Sequence, residues 1–152
     1  MKSGVANPIL VVGGGVAGIG AALDLAGCGR AVHLVERGPV LGGQVAKLDK
    51  LYPTDHCAFC PLWTDIKKVK DNPLLTVHTN AEVRDIRQSD GSLQAIIVRK
   101  PPVIDGDLCI FCGKCAGLCS ESAIAPLGDH VYPPVYSVKD DACNGCGKCA
   151  DV

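Results

Sequence analysis

Short apolar runs alternate with glycine-rich turns along the first hundred residues. Ile9–Val12 is a continuous apolar run of the kind that forms a strand buried on both faces. An Ala/Leu-rich stretch over Ile19–Ala26 predicts a helix, and Ala31–Val35 predicts a second strand. Further strands are predicted over Leu74–Thr79 and Thr79–Ile86. The order strand, helix, strand predicts an α/β domain of the Rossmann type.

Glycines follow the first predicted strand in the pattern G-x-G-x-x-G. Gly13 permits a tight turn, Gly15 lets the backbone approach a pyrophosphate, and Gly18 allows the helix to pack closely on the strand. Glu36 ends the second strand, where an acidic side chain accepts the ribose hydroxyls. Because all these parts are in place, the pattern predicts a dinucleotide site rather than glycines that only punctuate a loop.

The segment after this acid indicates which dinucleotide is bound. RGPVLGGQ, residues 37–44, resembles the segment of two-dinucleotide-binding flavoproteins in which the acid is followed by a glycine pair. The resemblance implies that Gly42 and Gly43 lie against FAD and that Arg37 belongs to the cofactor site. It also implies a contact between the adenine and Val83, which stands in the last of these strands. Binding of NAD(P) at the glycine loop is the alternative.

Seven of the ten cysteines lie in two runs near the end of the chain. In each run three cysteines follow one another at two-residue gaps, which is the spacing that begins an iron–sulfur ligand motif. The two runs, 34 residues apart, are Cys109, Cys112 and Cys115, followed by Cys119, and Cys143, Cys146 and Cys149. Zinc sites use ligand pairs separated by a longer loop, and neighbouring cysteines pair poorly as disulfides. The pattern therefore favours [4Fe–4S] clusters over a zinc site or a disulfide scaffold.

The spacing of the runs predicts a module with two clusters. In two-cluster ferredoxins the fourth cysteine of each run ligates the other cluster. Cys119 would thus complete the cluster of the second run, while the cluster of the first run lacks a fourth ligand in this chain. We therefore predict an FAD-binding domain over residues 1–100 and an incomplete α+β ferredoxin-like module over residues 101–152. Since the second run stops where its fourth cysteine would follow, an N-terminal fragment of a longer protein is favoured over a split subunit.

Three other features of the sequence carry weaker predictions. Cys57 and Cys60 form a C-x-x-C pair in a predicted loop, where they could be a redox dithiol, two ligands of a metal site or inert thiols. Metal ligation or redox chemistry near the flavin is favoured over inert packing. Cys28, at the expected end of the helix, is interpreted as a small apolar filler. His33 and His78 are expected to be packed or exposed rather than to be ligands.

Composition narrows the class of protein. With 47% hydrophobic residues among 152, the chain is expected to form a packed globule. With a net charge of −1, the chain lacks the excess of positive charge that is typical of nucleic-acid-binding proteins. The sequence shows no secretory signal and no apolar run of about 18 residues, so we expect a cytoplasmic protein without membrane insertion.

The order of these motifs resembles one family. An FAD fingerprint is followed by LDKLYPT at residues 48–54, then by a C-x-x-C pair and then by a ferredoxin segment. This order is similar to that of the A-type subunit of heterodisulfide reductase and its relatives. The resemblance implies a cytosolic iron–sulfur flavoprotein whose thioredoxin-reductase-like FAD domain is interrupted by a ferredoxin module. It further implies partners that are other electron-transfer subunits of a redox complex.

The predicted function is electron transfer between FAD and [4Fe–4S] clusters by an oxidoreductase subunit. No side chain is an obvious general acid, base or nucleophile, so the chemistry belongs to the cofactors, which the protein orients. One alternative is a non-catalytic electron carrier or docking module that binds clusters and never retains flavin. The other is an NAD(P)-dependent oxidoreductase.

Overall fold

The structure is a computed structural model that describes residues 7–89, 92–100, 103–105, 108–127 and 135–152. The chain divides into two compact units, Met1–Pro101 and Pro102–Val152.

The first unit is built on a parallel three-stranded sheet. Its strands and helices are β1 (Ile9–Val12), α1 (Val16–Gly27), β2 (Val32–Val35), β3 (Lys50–Leu51), β4 (His56–Cys57), α2 (Phe59–Asp71), β5 (Leu75–His78), β6 (Ala81–Ser89) and β7 (Ser92–Arg99). The sheet order is β1-β2-β5, so β2 is central. Val35 pairs with Val12 on one side and with His78 on the other, so the carboxyl ends of the three strands meet at one edge.

The core lies between one face of this sheet and the two helices. Val32 and Leu34 of β2 point to this face and are buried, whereas His33 between them is half-buried on the other face. In α2 the buried side chains recur at three- and four-residue spacing, which places them on one side of the helix. The buried cluster comprises Ile19, Ala22, Val32, Leu34, Leu41, Ala46, Leu62, Ile66 and Val69. Each fully buried large aliphatic side chain stabilises the fold by about 1.5–3 kcal/mol.

Most element boundaries lie within one residue of those expected, and the two starts described next differ by more. Helix α1 begins at Val16 instead of Ile19, so Gly18 lies within its first turn. The strand expected over Thr79–Ile86 begins at Ala81, because Asn80 has a left-handed backbone (φ +50°) that turns the chain out of β5. This strand, β6, pairs along its length with β7 in an antiparallel hairpin.

The described part of the second unit contains a short α-helix, two paired strands and a 3₁₀ helix. Its elements are α3 (Lys114–Leu118), β8 (Ile124–Pro126), β9 (Tyr136–Val138) and a 3₁₀ helix (Lys148–Asp151). Strands β8 and β9 are antiparallel, and α3 contacts both β8 and the 3₁₀ helix. In the described part of the two units, every helix is too short or too polar to cross a lipid bilayer.

Candidate functional site

The glycine loop joins β1 to α1 and has the backbone that only glycine supplies. Gly13 has φ +102°, in the left-handed region. A Cβ on Gly18 would lie 1.8 Å from the carbonyl oxygen of Gly13, so helix and loop touch there without room for a side chain. A Cβ on Gly15, at the start of α1, would meet no atom within 4 Å. The open space at Gly15 therefore lies at the N-terminus of a helix, which attracts phosphate.

Glu36 ties the end of β2 to this loop. One carboxylate oxygen accepts a hydrogen bond of 2.6 Å from the backbone N–H of Gly14, and the other accepts one of 2.6 Å from Gly38. Each oxygen keeps a lone pair for a ligand hydroxyl. A Cβ on Gly14 would come within 2.5 Å of the Leu41 side chain, so this position also requires glycine. The G-x-G-x-x-G pattern allows any residue at the position of Gly14, so the sequence analysis did not include Gly14 in the site. The three successive glycines, Gly13 to Gly15, could have indicated it.

The glycine pair predicted from the flavoprotein resemblance lies beside the glycine loop. Gly42 forms a parallel bridge with Gly15, and its N–H donates to the carbonyl oxygen of Gly14 at 2.7 Å. A Cβ on Gly43 would stand 3.1 Å from the Cα of Gly15. Both residues of the pair have positive φ, +118° and +58°. The structure thus brings together two glycine segments that are distant in the sequence.

A cleft of about 440 Å³ opens at the carboxyl edge of the sheet. It is lined by Val12, Gly13, Val35, Glu36, Arg37, Ala81, Glu82 and Val83. Four of the residues predicted to bind the cofactor, Gly13, Glu36, Arg37 and Val83, therefore share one cavity. Ala81 and Glu82 were missed, since only the turn at Asn80 brings the first residues of β6 to this edge.

Cys57 and Cys60 were expected in a loop, but the structure places them in regular elements. Cys57 ends β4 and Cys60 lies in the first turn of α2, because a hairpin of β3 and β4 leads directly into the helix. Both side chains are exposed, and their Sγ atoms are 2.7 Å apart. The Cys60 Sγ–H donates to Cys57 Sγ and lowers the pKa of Cys57, while the same bond raises the pKa of Cys60. The two thiols are therefore unequal.

The two cysteine runs have matching backbone turns. The N–H of Cys109 donates to the carbonyl of Asp105 at 2.9 Å, and at the equivalent place that of Cys143 donates to Lys139 at 3.0 Å. Two further equivalent pairs share left-handed φ angles. These are Phe111 (+56°) with Gly145 (+71°), and Gly113 (+75°) with Gly147 (+76°). The sequence repeat is therefore also a repeat of local structure.

Contacts between the runs involve residues near their ends. The 3₁₀ helix that carries Cys149 contacts α3, which carries Cys115. The amide of Asn144 donates to Glu121 at 3.2 Å, and Cys119 Sγ accepts the N–H of Ala123 at 3.3 Å. All ten cysteines are free thiols. Among the described residues, no three His, Cys, Asp or Glu side chains form a group placed to hold a metal ion.

Cys28 is exposed at the C-cap of α1, so its interpretation as a core filler was wrong. His33 and His78 are partly buried and contact each other, with Nδ1 and Nε2 3.0 Å apart. Burial, and then the positive charge of His33 and Arg99, lower the pKa of His78. A contact across 45 residues left no local signal in the sequence.

Residues 8–57 match the family of FAD-dependent oxidoreductases. The chain is 37% identical over 153 residues to the A-type iron–sulfur subunit of CoB–CoM heterodisulfide reductase from Methanocaldococcus jannaschii, which covers 92% of this chain and 23% of that protein. It is 44% identical over 115 residues to an A-type iron–sulfur subunit of the same enzyme from Methanopyrus kandleri, covering 76% of this chain and 17% of the relative. The chain thus spans about a fifth of the length of the curated relatives it matches.

Two solved structures have a similar fold. Thioredoxin reductase from T. acidophilum superposes with a TM-score of 0.50 at 20% identity, over 59% of this chain and 30% of that one. L-proline dehydrogenase from P. horikoshii gives a TM-score of 0.50 at 22% identity, over 60% of this chain and 19% of the other. Together these matches confirm the α/β Rossmann-type fold and the family resemblance predicted from the motifs. The chain carries an FAD-dependent oxidoreductase domain and, over most of its length, resembles the A-type subunit of heterodisulfide reductase.

Proposed function

We propose that this chain is part of an iron–sulfur flavoprotein that transfers electrons between FAD and [4Fe–4S] clusters. The observation that carries the proposal is the convergence of Glu36, the glycine loop and the glycine pair on one edge of the parallel sheet. When bound there, FAD would supply the exchange of one or two electrons that no side chain of the protein offers.

Each residue of the FAD site has a task in binding. Gly15 leaves open space at the N-terminus of α1 for the pyrophosphate, whose charge that helix end favours. Glu36, held in place by Gly14 and Gly38, would accept the ribose hydroxyls. Arg37 and Val83 line the neighbouring cleft, where Val83 would contact the adenine. Gly42 and Gly43, with no side chains, would let the flavin part lie close to the loop.

The second unit would hold the clusters in a ferredoxin-like module. Its cysteines are free thiols on repeated turns, and thiolate is the ligand that iron–sulfur clusters require. The four ligands of the complete cluster would be Cys119, Cys143, Cys146 and Cys149. A second cluster would use Cys109, Cys112 and Cys115 with a ligand from elsewhere. The N–H of Ala123 donates to Cys119 Sγ and would favour the reduced form of the complete cluster.

The relatives are named as subunits of heterodisulfide reductases. We infer that the whole protein works in the cytoplasm with other electron-transfer subunits, which receive or deliver the electrons carried by its clusters. The domains would be those predicted, with the FAD domain over residues 1–100 and the cluster module over residues 101–152.

Light-driven reduction tests this function. The anaerobically purified chain, with FAD bound, is illuminated with EDTA as electron donor, so that electrons enter at the flavin. Flavin absorbance and the EPR signal of the reduced cluster are then followed. We expect loss of flavin absorbance followed by a cluster signal, both in the unmodified chain and in the exposed-cysteine control Cys28→Ser. In Cys143→Ser we expect flavin reduction without the cluster signal. A cluster that dithionite reduces and the illuminated flavin does not would contradict the proposal.

A further inference from the structure

The turn that follows β5 contacts the segment around Glu36. Asn80 lies in this turn and has a left-handed backbone, with φ +50°. Its N–H donates to the carbonyl oxygen of Gly38 at 2.9 Å, and its own carbonyl oxygen accepts the N–H of Lys100 at 2.8 Å. The turn is therefore joined both to the segment that follows β2 and to the residue that follows β7.

Backbone hydrogen bonds also hold Glu36 itself. Its N–H donates to the carbonyl oxygen of His78 at 2.8 Å, and its carbonyl oxygen accepts the N–H of Ala81 at 3.0 Å. In a regular parallel pair the two bonding partners of one residue are two positions apart, whereas His78 and Ala81 are three apart. The left-handed backbone of Asn80 thus accommodates one extra residue between the two partners of Glu36.

The same turn reaches the groups that orient the Glu36 carboxylate. The two carboxylate oxygens accept the N–H groups of Gly14 and Gly38, each at 2.6 Å. Gly38 is also the residue whose carbonyl oxygen accepts the N–H of Asn80. The turn therefore fixes one of the two donors to the carboxylate, in addition to the backbone of Glu36.

We propose that Asn80 is a positioning residue of the cofactor site, and that its left-handed backbone holds Glu36 where the carboxylate meets the ribose. The inference rests on the proposed binding of FAD, and it adds a residue that is not among those lining the cleft. Glycine adopts this backbone without steric cost and asparagine does so more readily than most residues, whereas alanine is strained in it. A strained residue opens the turn in part of the molecules, and FAD then binds only the fraction in which the turn is formed.

Flavin fluorescence titration of folded variants, checked by circular dichroism, tests this role. In Asn80→Ala we expect the affinity for FAD to fall at least roughly threefold, because alanine disfavours the left-handed backbone. Asn80→Gly keeps that backbone and should bind FAD within about twofold of the unmodified chain. Asp55→Ala is the matched control, since Asp55 has φ +55° and is not among the residues that line the cleft. Unchanged affinity in Asn80→Ala, or an equal loss in Asn80→Gly, would overturn the proposal.

A double variant tests whether Asn80 acts through Glu36. If it does, Asn80→Ala should reduce the affinity for FAD by a clearly smaller factor in the Glu36→Ala chain than in the unmodified chain. A turn that acted only on the general stability of the fold would give the same factor in both chains. Losses that combine in full would therefore overturn the proposal.

Hydrogen exchange of the chain without flavin gives a readout that does not depend on FAD. The N–H groups of Gly14 and Gly38 donate to the Glu36 carboxylate, so they should exchange at least roughly severalfold faster in Asn80→Ala. Their exchange should be unchanged in Asn80→Gly and in Asp55→Ala. Unchanged exchange in Asn80→Ala would overturn the positioning role. An unmodified chain whose two amides are protected but which binds no FAD would instead contradict the proposed flavin function.

Discussion

The carboxylate of Glu36 accepts a hydrogen bond of 2.6 Å from the backbone N–H of Gly14, across 22 residues of sequence. With the matching bond from Gly38, it fixes the end of β2 against the glycine loop. The same carboxylate lines the cleft at the carboxyl edge of the sheet. The acid that would bind the ribose is thus also the acid that shapes the phosphate loop.

Replacement of Glu36 by alanine therefore removes two functions at once. A hydrogen bond to a charged group is worth about 1.5–3 kcal/mol, so we predict at least a roughly tenfold loss of FAD affinity for Glu36→Ala, measured by flavin fluorescence titration. Glu82→Ala is the control, because it removes a carboxylate from another wall of the same cleft and leaves the glycine contacts intact. Equal losses in the two variants would contradict a specific role of the Glu36 hydrogen bonds.

Because α1 closely approaches the glycine loop, alanine substitutions at two glycines of this helix should change the free energy of unfolding in opposite directions. In Gly18→Ala the new Cβ would overlap the carbonyl oxygen of Gly13 at 1.8 Å, so we expect a loss of about 1–3 kcal/mol in the free energy of unfolding. A Cβ on Gly20 meets no atom within 4 Å, so Gly20→Ala should gain up to about 1 kcal/mol from helix propensity. Urea denaturation followed by circular dichroism compares them. Similar stabilities would argue against tight packing at Gly18.

His78 predicts a dependence of stability on pH. Its pKa lies below the ordinary 6.5, because burial disfavours the charged ring and His33 and Arg99 oppose protonation. The unfolded state then binds more protons than the folded state as pH falls through 6.5, so the stabilisation is complete above that pH and is lost below it. We expect the free energy of unfolding to fall between about pH 7 and pH 5, and to fall less in His78→Gln. Thr76→Ser, an exposed change in the same strand, should keep the original slope. An unchanged slope in His78→Gln would contradict this.

The parts of the fold that could be predicted are those that short sequence motifs determine. The apolar run Ile9–Val12, the glycine loop and Glu36 at the end of β2 each leave a signal within a few residues, and the structure places them as expected. The glycine pair was found in a different way, by its resemblance to flavoproteins. Its backbone bridge to Gly15 could be seen only in three dimensions.

The parts that were missed depend on contacts between distant segments or on a single turn. The pairing of His33 with His78 arises because β2 and β5 are neighbours in the sheet. Cys57 was assigned to a loop because the two-residue strand that it ends is too short to give a period, and Cys60 was assigned to the same loop because helix α2 was not predicted. The position of β6 at the cleft follows from the left-handed backbone of Asn80, and this conformation was not predicted from the sequence.

The most direct test of the proposed function is the iron and FAD content of the anaerobically purified chain, with its intact mass, measured beside Cys119→Ser and Cys28→Ser. We predict bound FAD and about four irons per chain, because the four proposed ligands of one cluster, Cys119, Cys143, Cys146 and Cys149, all lie in this chain. The iron should be lost in Cys119→Ser and kept in Cys28→Ser. Two results together would contradict the assignment of this protein as an iron–sulfur flavoprotein. The first is an unmodified chain without bound FAD. The second is an iron content that is zero in the unmodified chain or the same in Cys119→Ser.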